Sequence, residues 1–221
     1  MQWRSVAWSS APAALARGTR CRALRVSPVA IPTGARGEPV WPSGVAGSLT
    51  HCTGYRACTV ARKDDLLSIG IDAEVNERLP NGVLEQVAFG QERARLASGS
   101  DGICLDKVPF SAKEAIYKAW HPLAGRWLGF EDVDLTIDIA GRGFHARLLV
   151  PGPLTGSKQI TRFHGRWDVE LGIVAATTVV ETSPPVNRRA SLDSSSREAV
   201  ASFTSFADNR SSCIEPPQAP L

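Results

Sequence analysis

Apolar residues recur at every second position in some stretches of the chain and at every third or fourth in others, and these two periods divide it into predicted strands and helices. In Leu66–Glu74, Leu67, Ile69, Ile71 and Ala73 share one face, and Ser68, Gly70, Asp72 and Glu74 share the other. The pattern predicts a strand that buries its apolar face and aims both carboxylates the same way. Tyr55–Arg62 also alternates and follows a turn signal at Thr53-Gly54, so it reads as a strand. Val133–Ile139 alternates strictly, and Gly141-Arg142-Gly143 turns it back into Phe144–Val150. Trp167–Val180 completes the strand-rich end. Helical spacing is found over Val83–Leu96 and, more clearly, over Ser111–His121, where Ile116, Ala119, Trp120 and Leu123 mark a core-facing stripe. Strands, then helices, then an antiparallel run form an α+β pattern.

Outside residues 41–180 the periodicity fades. Residues 1–40 are rich in Arg, Ala, Gly and Pro, and only Ala13–Val26 has helical spacing. Residues 181–221 are dominated by Ser, Pro, Arg and Asp, with too little apolar surface to offset ordering entropy, and are expected to be disordered. The Ala-rich start is broken by Ser9, Ser10 and Pro12, which argues against a secretory signal.

Composition narrows the function classes. The 221 residues are 43% apolar, enough for a core, and the formal charge of +3 is too weak to argue for nucleic acid. No stretch approaches 18 apolar residues, so no membrane span is expected. Five cysteines without a CxxC pair suit neither a disulfide framework nor a zinc site, and point to reduced thiols in the cytoplasm.

Three segments carry candidate chemistry. Gly70-Ile71-Asp72-Ala73-Glu74 places two carboxylates at i and i+2, half of a site for a hard cation such as Mg²⁺, although acids are also common at solvent-facing strand ends. Phe110–Trp120 includes Ser111-Ala112-Lys113-Glu114, which reads equally as a capping box, and Glu114 with Lys118 is an ordinary i,i+4 pair. Its functional reading turns Glu114 to a metal, with Lys118 and Lys113 meeting phosphate: the acids hold the cation and the lysines hold the anion. The Gly-bounded run Trp41–Tyr55 contains Ser48, Thr50 and His51, whose hydroxyl and imidazole groups suit a phosphate. A Ser-His nucleophile pair there lacks the G-x-S-x-G elbow of a hydrolase.

In this order the segments resemble the 4′-phosphopantetheinyl transferases of the surfactin-synthetase and enterobactin-synthetase type. That family pairs a Gly-x-Asp-x-Glu strand with an aromatic-Ser-x-Lys-Glu-Ala-x-x-Lys helix, matched here by Gly70–Glu74 and Phe110–Lys118. Trp41–Tyr55, Lys118–Leu123, Trp127–Asp132 and Gly165-Arg166-Trp167 extend the likeness over about residues 30–180. The resemblance implies a pseudo-twofold pair of α+β halves, of which the first is expected to be incomplete here. It implies transfer of phosphopantetheine from coenzyme A to a serine of an acyl, peptidyl or aryl carrier protein, with release of adenosine 3′,5′-bisphosphate, in secondary metabolism such as siderophore assembly. It assigns Asp72, Glu74 and Glu114 to Mg²⁺, with Glu74 or Glu114 as base, and Lys118 and Lys113 to the coenzyme A phosphates. Thr50 and His51 go to the 3′-phosphate and Arg36 to the nucleotide pocket. A monomer is expected. The competing readings are a relative that binds coenzyme A or a carrier without turnover, and a Mg²⁺-dependent nucleotide phosphohydrolase.

Overall fold

A computed structural model of the chain describes residues 30–96 and 102–182. The expected disordered tail beyond Thr182 and the segments before residue 30 lie outside the described residues. A hairpin of β1 (Val45–Cys52) and β2 (Tyr55–Arg62) comes first, turning at Thr53-Gly54, where Gly54 has φ of +74°. It is followed by β3 (Leu66–Val75), the short helices α1 (Leu84–Val87) and α2 (Gln91–Leu96), and the long helix α3 (Lys107–Ala124). A one-turn 3₁₀ segment at Phe130–Asp132 leads into β4 (Val133–Asp138) and β5 (Gly143–Leu148). A minor hairpin of β6 (Leu154–Thr155) and β7 (Lys158–Gln159) precedes β8 (Arg162–Glu170) and β9 (Ile173–Glu181).

The five long strands of the main sheet are antiparallel neighbours in the order β3-β9-β8-β5-β4, so the first strand of the sheet pairs with the last. The α+β class follows from one long helix laid across this sheet. Val108, Ala112, Ala115, Ile116, Ala119 and Trp120 of α3 are all fully buried. They meet Phe144, Phe163, Trp167, Val174 and Ala176 of the sheet in one core. Each large apolar side chain buried there contributes about 1.5–3 kcal/mol.

Several expected boundaries move. Val83–Leu96 is two helices because Gly90, with φ of +51°, breaks the run. The long helix begins at Lys107 rather than Ser111, with Asp106 preceding it and Pro109 in the first turn, where no intrahelical N–H donor is required. Ser111 therefore sits a full turn inside and completely buried, and the capping box with Glu114 does not form. The helix ends at Gly125, whose φ of +63° lets its N–H reach the His121 carbonyl at 2.9 Å. Trp41–Tyr55, read as a phosphate-binding loop, contains a full strand, and Gly44 and Gly47 hid its period.

The expectation for β3 needs the largest correction. Both of its faces are buried, not only the apolar one. The Ser68, Gly70, Asp72 and Glu74 face lies beneath α3. A Cβ on Gly70 would stand 1.9 Å from the Ala115 carbonyl oxygen, so only glycine lets strand and helix approach this closely. Ser68 Oγ donates to the Ala119 carbonyl at 2.7 Å across the same contact. Along the edge of β3 away from β9, β1 supplies side-chain acceptors. The N–H groups of Ile71 and Ala73 donate to Ser48 Oγ (3.0 Å) and Thr50 Oγ1 (2.9 Å). Two hydroxyls thus satisfy an edge that would otherwise be open.

Candidate functional site

Helix α3 runs back along β3, so two lysines eleven residues apart on the helix meet Asp72 and Glu74, alternate residues of the strand. Lys118 Nζ donates to Asp72 Oδ1 at 2.7 Å, and Lys107 Nζ donates to Glu74 Oε2 at 3.2 Å. Ser111 and Glu114 lie between the two lysines on the helix. Period two on the strand and period 3.6 on the helix therefore gather three carboxylates between two lysines, a strip that neither element shows alone.

The strip is not balanced. Asp72 is 5% exposed, and its Oδ2 is buried without a hydrogen-bond partner. Glu114 is pushed up to about 8, first by burial and then by the charge of Asp72, with Lys118 opposing and Glu74 adding a smaller push. Glu74 is also raised, by burial and by Asp72, with Lys107 opposing. Three ionised carboxylates would outnumber the two ammonium groups, so Glu114 keeps its proton until a further positive charge arrives.

The donors in this strip are oxygens, the ligand type that hard divalent cations prefer. The orphaned Asp72 oxygen and the elevated Glu114 carboxyl fit such an ion. With Lys118 on Asp72 and Lys107 on Glu74, no three His, Cys, Asp or Glu side chains among the described residues are already gathered as a ligand set. A cation would take over charge compensation that the lysines now provide.

The residues on β1 divide. His51 is half-buried, and burial together with Lys118 and Arg56 holds its imidazole below its ordinary range, against Asp72. Burial and the neighbouring cations favour its neutral form, a hydrogen-bonding imidazole beside Lys118. Thr50 is buried at 5% exposure, and its hydroxyl donates to Asp72 Oδ1 at 3.3 Å while accepting from Ala73 N–H. It braces the metal-candidate carboxylate. Ser48 is likewise committed to β3, so the Ser-His nucleophile reading has no free hydroxyl. Cys52 is no alternative nucleophile, because burial, Glu74 and Asp72 push its thiol up to about 11.

Lys113 is the clearest correction. It is 2% exposed, and its ammonium donates to the Val87 carbonyl (2.8 Å), Glu92 Oε2 (2.9 Å) and the Phe130 carbonyl (3.0 Å). All three protons are used inside the core, so Lys113 has none for a phosphate. Arg36 lies at the far end of α3, where its guanidinium donates to the Gly125 carbonyl at 3.3 Å, well along the helix from Asp72 and Glu74. Lys107 went unrecognised in the sequence because the helix was started one turn late. Its place seven residues before Glu114 was the signal available.

Comparison with known proteins identifies the family. The sequence profile of the 4′-phosphopantetheinyl transferase superfamily matches residues 68–166, and that of the N-terminal domain of these transferases matches residues 13–61. The chain is 42% identical over 181 residues to the 4′-phosphopantetheinyl transferase Svp of Streptomyces mobaraensis, covering 80% of this chain and 73% of that protein. It is 50% identical over 155 residues to the transferase Npt of Nocardia iowensis, covering 66% and 70%. Against the transferase PptT of Mycobacterium tuberculosis it is 44% identical over 162 residues, covering 71% of each.

Proposed function

The chain belongs to the 4′-phosphopantetheinyl transferase superfamily, and from that premise we propose that Asp72, Glu74, Glu114, Lys118 and His51 are the groups with which it moves phosphopantetheine. The enzyme transfers phosphopantetheine to carrier proteins, with coenzyme A as the donor. The observation that carries the assignment is the partnerless buried oxygen of Asp72 beside a glutamate raised to about 8.

In this reading Asp72, Glu74 and Glu114 would be the groups that hold a Mg²⁺ ion. The ion supplies charge neutralisation on the pyrophosphate of coenzyme A as the leaving phosphate forms. Lys118, released from Asp72, turns its ammonium to the same phosphates, and Arg56 with the neutral His51 imidazole as a hydrogen-bond donor extends the wall toward the nucleotide. The serine hydroxyl of the carrier protein attacks the phosphorus next to pantetheine. The bond from that phosphorus to the bridging oxygen breaks, and adenosine 3′,5′-bisphosphate leaves with the electron pair. Glu114 takes the serine proton. Its elevated pKa suits this task, since a base works best when poised near the working pH. No nucleophile is required of the enzyme itself. The substrate carrier is an acyl, peptidyl or aryl carrier protein of a fatty-acid, polyketide or non-ribosomal peptide synthase, and the enzyme acts as a monomer in the cytoplasm. Among the described residues, no helix is long and apolar enough to cross a membrane.

The test is intact-mass analysis of an apo carrier protein after incubation with the full chain, coenzyme A and Mg²⁺. A phosphopantetheine-sized gain that disappears on chelation is expected. Coenzyme A cleavage without any carrier present would point to a phosphohydrolase instead. Tight coenzyme A binding with no gain would point to a non-catalytic relative.

A further inference from the structure

The face of the main sheet turned away from α3 carries a feature that the transferase chemistry does not use. His145 of β5 and His164 of β8 are directly opposite each other in the antiparallel ladder, and both are exposed. Their Nδ1 atoms are 2.7 Å apart, with the rings nearly perpendicular at 79°. One nitrogen carries a proton and the other accepts it, so a lone pair and a replaceable hydrogen point into the same small space.

We propose that His145 and His164 form a two-imidazole binding site for a borderline divalent transition ion of the zinc, nickel or copper class. Zinc–nitrogen bonds are about 2.0–2.1 Å. Two such bonds at a tetrahedral angle separate the nitrogens by about 3.3–3.4 Å, and at a right angle by about 3 Å. The observed pair needs to open by only about 0.3–0.7 Å to admit the ion between the rings. The imidazole whose Nδ1 is protonated shifts that proton to Nε2 through water, so both rings bind as neutral ligands and no charge is lost. Solvent fills the remaining positions.

The backbone beneath the pair is held on its other face by Phe144, Ala146, Phe163 and Trp167, all buried. The carbonyl of His164 also accepts from Thr178 Oγ1 at 2.6 Å. A preformed pair gives up little side-chain freedom on binding, which favours a chelate over two independent surface histidines. The same face carries Arg147 and Arg162, opposite each other one step along the ladder, and Arg166 on the other side. Arg147 is paired with Asp134 at 3.0 Å. These guanidinium groups repel any dication, so binding at this face has to come from the imidazole bonds. They leave imidazole affinity, the property that separates transition ions from Mg²⁺, as the basis of selection.

The experiment is titration of the full chain, thiols blocked, with Zn²⁺ alone, read by calorimetry and by ¹⁵N-detected imidazole NMR. One equivalent is expected to move the Nδ1 signals of His145 and His164 together, leaving those of His51 and His121 in place. His145→Gln and His164→Gln should each weaken binding at least tenfold without changing carrier modification in Mg²⁺. Unchanged zinc affinity in both variants, or zinc shifts confined to His51 or His121, would overturn the proposal. The NMR readout on the unaltered chain decides the question even if a variant folds poorly.

Discussion

Two of the lysine–carboxylate contacts of helix α3, at Lys113 and at Lys118 five residues on, are opposites. At Lys113 the accounts close: three acceptors meet three protons, and Glu92 accepts in return from Phe89 N–H (2.7 Å) and Leu135 N–H (2.6 Å). At Lys118 they do not. Asp72 keeps a buried oxygen without a partner, and Glu114 beside it holds its proton to about 8. A buried charge that is fully paired fixes geometry, tying α1, α2 and β4 to the helix. A buried charge that is left short has an unmet electrostatic demand, and a substrate or ion can supply it. Within one helix, the completeness of the pairing separates the brace from the site.

Substituting each side of the comparison should give opposite outcomes. The largest effect is expected from Asp72→Ala, which should lower carrier modification by about 10²–10³-fold or more while leaving the thermal midpoint close to that of the parent. A large loss of stability would mean that Asp72 is a structural residue like Glu92. Lys113→Met should do the reverse. It leaves Glu92 buried without its cation and should cost about 3–5 kcal/mol in denaturant unfolding, with kcat little changed in the folded fraction. A variant that remained stable but lost affinity for coenzyme A would return Lys113 to the phosphate role.

The smallest effect is a change in pH slope. The folded-state pKa of Glu114 lies above its unfolded value, so the folded chain binds more protons between pH 4.5 and about 8. Its contribution to stability is fully present below pH 4.5 and is lost as pH rises through about 8. In chelator, Glu114→Gln should remove that slope and stabilise the chain at pH 9 by about 1–2 kcal/mol, less than the full shift because its titration is shared with Asp72 and Lys118. An unchanged slope would mean that the glutamate is solvated and that the charge imbalance lies elsewhere.

Much of the site was legible because two periodicities were written into the chain. Alternation put Asp72 and Glu74 on one face of a strand, and the helical repeat put Glu114 and Lys118 on one face of a helix. Nothing in either period said that the carboxylate face of the strand would be covered. That depended on Gly70, which admits the Ala115 backbone, and on the hydroxyls of Ser48 and Thr50 closing the other edge of β3.

The sequence by itself determined the elements and the residue types they carry: the acids on β3, the lysines on α3 and the apolar stripe that drives them together. Only the tertiary structure decided which lysine serves which purpose. Lys113 and Lys118 differ by five positions, about 140° around the helix axis at 100° per residue. That angle turns one toward Glu92 and two carbonyls, and the other toward Asp72. The partners come from distant parts of the chain, and local spacing carries no information about them. Burial then sets the energies, because the same ammonium–carboxylate contact is worth little in water and a great deal where water is excluded.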